Sequence, residues 1–266
     1  MGEDEIFVML FGCMAALVFW AIWYMHTSCI GELFRSSTQK MLLAFTPLVC
    51  GIALFAVLKL WASHDVRDAA QYLFMYQAMG AGWVGVFAIC LFPWLGVHYA
   101  HDALERANTG AAIAVCGGLL GFTLAFAGGN IGDGPGWWVV VFASGLATFT
   151  LAGCWALLAQ YANMAEEITV DRDLAAGVRL GGFLLAGGMI CGRAAAGNWI
   201  SAAATLVDFW RVGWFMAPLL LLTWAFDYLG SPTPERPKPS VLAYGIVPSL
   251  LGLGLAVVAH MTRGGW

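Results

Sequence analysis

The chain has 266 residues, 61% of them apolar and only 11% charged, and its mean hydropathy is +0.79. A soluble domain carries about 45–50% apolar and roughly a quarter charged residues, so this composition excludes a water-facing globule. The net charge of −4 offers no basic surface for nucleic acid.

A membrane-crossing helix needs about 20 predominantly apolar residues. Eight such runs follow one another, at 6–25, 41–62, 72–98, 109–129, 137–160, 174–194, 211–229 and 241–261. They predict an all-α polytopic membrane helix bundle forming a single integral-membrane domain over residues 1–266. The first run begins behind Glu3, Asp4 and Glu5 and is of full length, which reads as a span and not as a cleavable signal. Pro47, Pro93, Pro218 and Pro248 lie inside runs, where membrane helices accept proline if neighbours satisfy the freed carbonyls.

The third run ends at His98 and His101, which the i, i+3 spacing puts on one helical face beside Asp102 and Glu105. Two histidines suggest metal or haem chemistry. A water-exposed helix end explains this pair, and His26, His64 and His260 near other span ends, so no metal and no cofactor is expected. Asn108 stands ahead of the fourth run and Asp173 ahead of the sixth, both suited to capping a helix start. Within these two runs Gly117 and Gly121, Gly177 and Gly181, and Gly188 and Gly192 form small-xxx-small pairs, which let backbones pack closely. The runs 109–129 and 174–194 are therefore expected to meet at the centre of the molecule.

Arg179 lies more than a turn inside the sixth run, where a charge is a functional candidate by default. Asn108, Asp173 and Arg179 are the candidate polar site. Glu166 and Glu167 read as solvated loop residues, and Lys59, Arg193 and Asp227 as interfacial ones. Asp208 and Arg211 are spaced to pair on one turn. The segment 196–209 is too polar for a comfortable span and is expected to lie along the interface, with Trp199 and Trp210 at headgroup depth. The segment 231–240 carries four prolines and reads as a stiff connector.

Six of the seven cysteines (Cys13, Cys50, Cys90, Cys116, Cys154 and Cys191) lie in apolar runs, and Cys29 in a polar stretch; the spacing fits no metal pattern and all read as packing residues. Arg35, Lys40, Arg106, Arg172, Arg236 and Lys238 fall on one face of an eight-span topology, and Lys59, Arg67, Arg193, Arg211 and Arg263 on the other. This slight excess places both termini in the periplasm.

The chain also matches itself at an offset of 64 residues: 111-AAIAVCGGLLG-121 falls on 175-AAGVRLGGFLL-185. Two-helix units at approximately 1–71, 72–135, 136–199 and 200–266 would account for the whole length. The strings 108-NTGAAIAVCGGLLGF-122 and 173-DLAAGVRLGGFLLAGGM-189 resemble the bacterial inner-membrane family called domain of unknown function 350, built of tandem two-helix units. The resemblance covers residues from about 72 to 199 and departs at 172-RDLAAG-177, where that family more often has Asn-Thr. It implies an inner-membrane location and this fold, but no reaction. The reading is a non-enzymatic membrane subunit or scaffold in the lipid bilayer, acting as a homo-oligomer or through a membrane-complex partner. The alternative is an ion or small-solute channel or transporter with its site at the repeat interface.

Overall fold

The structure, a computed structural model, describes residues 1–33, 37–231, 233 and 239–262. Arg35, Arg236, Lys238, Arg263 and most of the proline-rich segment 231–240 lie outside them. Among the described residues eight helices are long and apolar enough to cross a membrane. They are α1 (Glu3–Leu33), α2 (Ser37–Trp61), α3 (Ala70–Trp94), α4 (Thr109–Gly128), α5 (Trp137–Tyr161), α6 (Leu174–Ala195), α7 (Ala202–Gly230) and α8 (Leu242–Met261). A helix is the element such apolar runs can form in lipid, because it satisfies every interior backbone group within itself. No strand forms among the described residues; Ala62 makes isolated bridges to Ile131 and Gly132.

The seventh span differs from its expectation. Helix α7 begins at Ala202, inside the segment expected to lie along the interface, and runs as Ala202–Gly213 and Met216–Gly230 around a tight turn at Trp214 and Phe215. Ser201 caps its start by accepting a hydrogen bond from the Ala204 amide at 3.2 Å. Arg211 thus lies within the helix, paired at 3.0 Å with Asp208 one turn earlier. Phe209 and Val212 are buried while Leu206, Val207 and Trp210 face outward, so the segment's sidedness comes from packing against α6.

Helices α4 and α6 form the centre. In their most apolar stretches 78% and 72% of residues are buried, against 11% in α1, which packs mainly on α3 at the periphery. The central pair runs parallel, because successive contacts advance together along both chains: Gly110 on Gly177, Gly117 on Gly181, Gly121 on Gly188, Gly128 on Gly192. At each level a Cβ on the glycine would collide with backbone atoms of the opposite helix. The seam therefore needs glycine for close approach, the condition under which helices associate in lipid without a hydrophobic driving force.

Two of the prolines expected to need help receive it from named side chains. Pro47 has no N–H for the carbonyl of Leu43, four residues earlier, and that carbonyl accepts from the Trp23 indole at 3.0 Å. The neighbouring Ala44 carbonyl accepts from the Tyr24 hydroxyl at 3.1 Å. Pro248 leaves the Tyr244 carbonyl without its α-helical donor, and a wider π-helical turn, Leu242–Ile246, precedes it. Among the cysteines, Cys50 and Cys191 are buried, Cys29 and Cys90 are exposed, and all seven are free thiols.

With eight crossings, the start of α1 and the end of α8 share one face of the bundle, the proximal face. Contacts on that face agree: Trp137 donates to Asp4 at 3.0 Å and Tyr72 to Glu5 at 3.1 Å. The opposite, distal face carries the segments 95–108 and 162–173.

Candidate functional site

On the distal side, Arg179 stands in the second turn of α6 and is 1% exposed. Its Nη1 donates to the Tyr244 carbonyl at 2.7 Å, the group whose i+4 amide position Pro248 occupies. Its Nη2 donates to Glu167 at 3.1 Å and to Asp227 at 2.5 Å. Glu167 belongs to a short helix, Met164–Thr169, lying between spans, and Asp227 to the last turn of α7. One guanidinium thus ties α6 to α7, to α8 and to the segment before α6.

The arrangement is chemically unbalanced. Two carboxylates, both buried, face one cation, and a low-dielectric surrounding makes an excess charge costly. Glu167 Oε1 and Arg179 Nε are buried with no hydrogen-bond partner. Burial pushes the Glu167 carboxyl above its ordinary range and the adjacent Asp227 carboxylate adds to the rise, while the Ser231 hydroxyl and Arg179 offset part of it. A proton on Glu167 removes the excess charge.

Two expectations are corrected here. Glu167 is not a solvated loop residue, and Asp227 is not interfacial, since both are buried against Arg179. Glu167 turns inward because Met164 and Ile168, at i−3 and i+1, share its buried face. That stripe was present in the sequence as Met164, Glu167 and Ile168 at helical spacing. Asp227 was signalled by its place inside the apolar run of the seventh span. The sequence held no sign that the two would converge.

The other candidates divide by environment. The Asn108 side chain caps α4, accepting from Ala111 at 3.2 Å, and its amide donates to the Ile168 carbonyl at 2.6 Å. Asp173 caps α6 through Ala175 at 3.0 Å and Ala176 at 3.2 Å. Among the described residues neither is bonded to Arg179, so the expected three-residue site separates into two helix caps and one ion cluster. Gly117, Gly121, Gly177, Gly181, Gly188 and Gly192 all lie in the α4–α6 seam. Arg193, at the proximal end of α6, is buried at 5% exposure.

The histidine pair also separates. His98 is not on the helical face of His101: its backbone is extended, and its Nδ1 caps the π-helical turn Tyr99–Glu105 by accepting from Ala100 at 3.1 Å and His101 at 3.2 Å. Partial burial lowers its pKa, which keeps that nitrogen available as an acceptor. His101 is exposed and pairs with Glu105 at 2.6 Å. Among the described residues no group of three or more His, Cys, Asp or Glu side chains is placed to hold a metal.

A family model described as Domain of Unknown Function (DUF350) matches residues 41–195, from α2 to the end of α6. No curated protein and no solved structure matches the chain.

Proposed function

The chain belongs to the DUF350 family, and from that premise we propose that it is a multi-pass protein of the bacterial inner membrane acting as a non-enzymatic subunit or scaffold. It would work through self-association or a membrane partner, with both termini in the periplasm. The observation that carries this reading is the engagement of Arg179. The one charge set well inside a central helix has both terminal nitrogens bonded to Glu167, Asp227 and the Tyr244 carbonyl, so it fastens helices to one another. The glycine seam beside it brings backbone against backbone along the middle of the bundle. Both features favour a rigid body over a gated path.

A tandem origin for the two central units is supported by matching local geometry. Ala107 (φ 48°) and Arg172 (φ 57°) are the two non-glycine residues with positive φ among those described, and each immediately precedes a capping residue and a central helix. A short helical segment, Tyr99–Glu105 or Met164–Thr169, comes before each. The outer units at 1–71 and 200–266 extend this plan on length alone.

The test is crosslinking in native membranes, followed by the mass of the particle in nanodiscs. Crosslinked partners or a multimeric particle support the scaffold. A single-copy particle with no partner overturns it. A second reading, an ion or small-solute conduit, is favoured by the extra carboxylate of the cluster, since an unbalanced buried charge suits a proton or cation in transit. It expects ion flux into proteoliposomes that Arg179→Ala alters; no flux of common ions removes it.

A further inference from the structure

On the proximal face the segment between α4 and α5 meets the segment between α6 and α7 in a cradle. The first, 129-GNIGDGPG-136, turns at Gly132 (φ 113°) and Gly136 (φ 154°), and the second turns at Gly197 (φ 152°), backbone conformations that favour glycine. The Ile131 carbonyl accepts from the Gly197 amide at 2.9 Å and the Asp133 carbonyl from the Trp199 amide at 2.8 Å. The Asp133 amide donates to the Asn198 side chain at 2.9 Å. A Cβ on Gly132 would collide with the backbone of Gly197 and Asn198, so the two segments touch directly. With Ser63 and Tyr76 they line a cavity of about 50 Å³.

We propose that this cavity binds one Na⁺ ion. The first support is an orphaned acceptor. Asn130 lines the cavity and is 5% exposed; its Nδ2 donates to the Phe126 carbonyl at 2.9 Å, while its Oδ1 is buried with no hydrogen-bond partner. A buried acceptor in that condition is costly unless a ligand meets it. The second is the chemistry of the lining. Ser63, Tyr76 and Thr205 bring hydroxyl oxygens and Asp133 a carboxylate, the hard oxygen donors that such cations take. Among the described residues no Lys, Arg or His lines the cavity, and Asp133 makes no ion pair.

Size and charge select the ion. The space holds an ion with one or two waters, at about 30 Å³ for each water. Mg²⁺ keeps several waters and is too bulky with them, and Ca²⁺ sites draw on more negative charge than one carboxylate supplies. Na⁺ carries a single charge, which Asp133 alone balances. A water molecule in its place fits less well. Asn130 Oδ1 and the ionised Asp133 carboxylate only accept, and a cation answers both at once.

The full chain, purified in micelles and held in choline chloride, is titrated with radiolabelled Na⁺, and bound ion is counted by scintillation proximity. Saturable binding of one ion per chain is expected, with Asn130→Leu and Asp133→Asn each weakening it about tenfold. The Phe126 carbonyl keeps the Ser144 hydroxyl at 2.8 Å when Asn130 is replaced, and the cradle uses only the backbone of Asp133, so both variants should fold. Melting temperature in choline chloride checks this, and Asp133→Asn decides the matter if Asn130→Leu does not fold. In the unmodified chain, NaCl in place of choline chloride at equal ionic strength should raise the melting temperature saturably. Absence of saturable binding overturns the proposal, the cavity then holding water alone. Binding unchanged in the folded variants overturns it as well, because the ion would sit elsewhere. Displacement by calcium chloride at lower concentrations than by NaCl also overturns it, since the site would then be one for a divalent cation. Equilibrium binding is read here and not flux, so the result is separate from the conduit reading.

Discussion

The buried side chains of the distal cluster make opposite demands. Removing Arg179 leaves two carboxylates buried without their cation, and Arg179→Met should cost about 3–5 kcal/mol of stability, read from reversible unfolding in mixed micelles. Asp227→Asn leaves Arg179 and Glu167 as a balanced pair, and its cost should be clearly smaller. Glu167 adds a pH dependence whose sign is fixed by its environment. Its folded pKa lies above its unfolded one, so its contribution is fully present below the ordinary carboxylate range and is lost as pH rises through the folded value. Thermal stability should therefore fall as pH rises above the ordinary carboxylate range, and Glu167→Gln should flatten that fall. Arg179 stood out in the sequence because it interrupts an apolar run. Asp227 also interrupts an apolar run, but its meeting with Arg179 and Glu167 was not legible, since Glu167 precedes Arg179 by 12 positions and Asp227 follows it by 48, a convergence set by tertiary packing.

Among the helices, glycine has two distinct meanings that substitution separates. At Gly121 an added Cβ would run into the Leu184 carbonyl of α6, so Gly121→Ala should drive the central pair apart and lower the melting temperature. At Gly153 in α5 the same Cβ would meet nothing within 4 Å. Gly153→Ala should be neutral or stabilising by up to about 1 kcal/mol, the ordinary gain of alanine inside a helix. The element plan was largely legible: six of the eight helices begin and end within a few residues of their apolar runs, and α1 continues past its run to Leu33. Span seven was misjudged because 202-AAATLVDFWRVG-213 looks too polar as a string. Its apolar side, with Phe209 and Val212, is covered by α6, a neighbour that local composition does not disclose.

For the molecule as a whole, eight crossings put the start of α1 and the end of α8 on one side. Reporter fusions placed before residue 3 and after residue 262 should agree with each other and oppose reporters in the segments 95–108 and 162–173. Disagreement between the two ends would mean that one of the eight helices does not cross. The shared side was legible from the span count, whereas the ion cluster arises only where several helices end together. The parallel α4–α6 seam has a consequence for biosynthesis. Gly117 and Gly181, which face each other, are 64 positions apart, so at 5–20 residues per second a ribosome delivers the second about 3–13 s after the first. During that interval α4 sits in the bilayer with its glycine face uncovered, and the fitting mate nearby is the α6 of another nascent copy. Slow translation through α5 should therefore favour exchange of these helices between neighbouring chains, linking assembly state to the pace of synthesis.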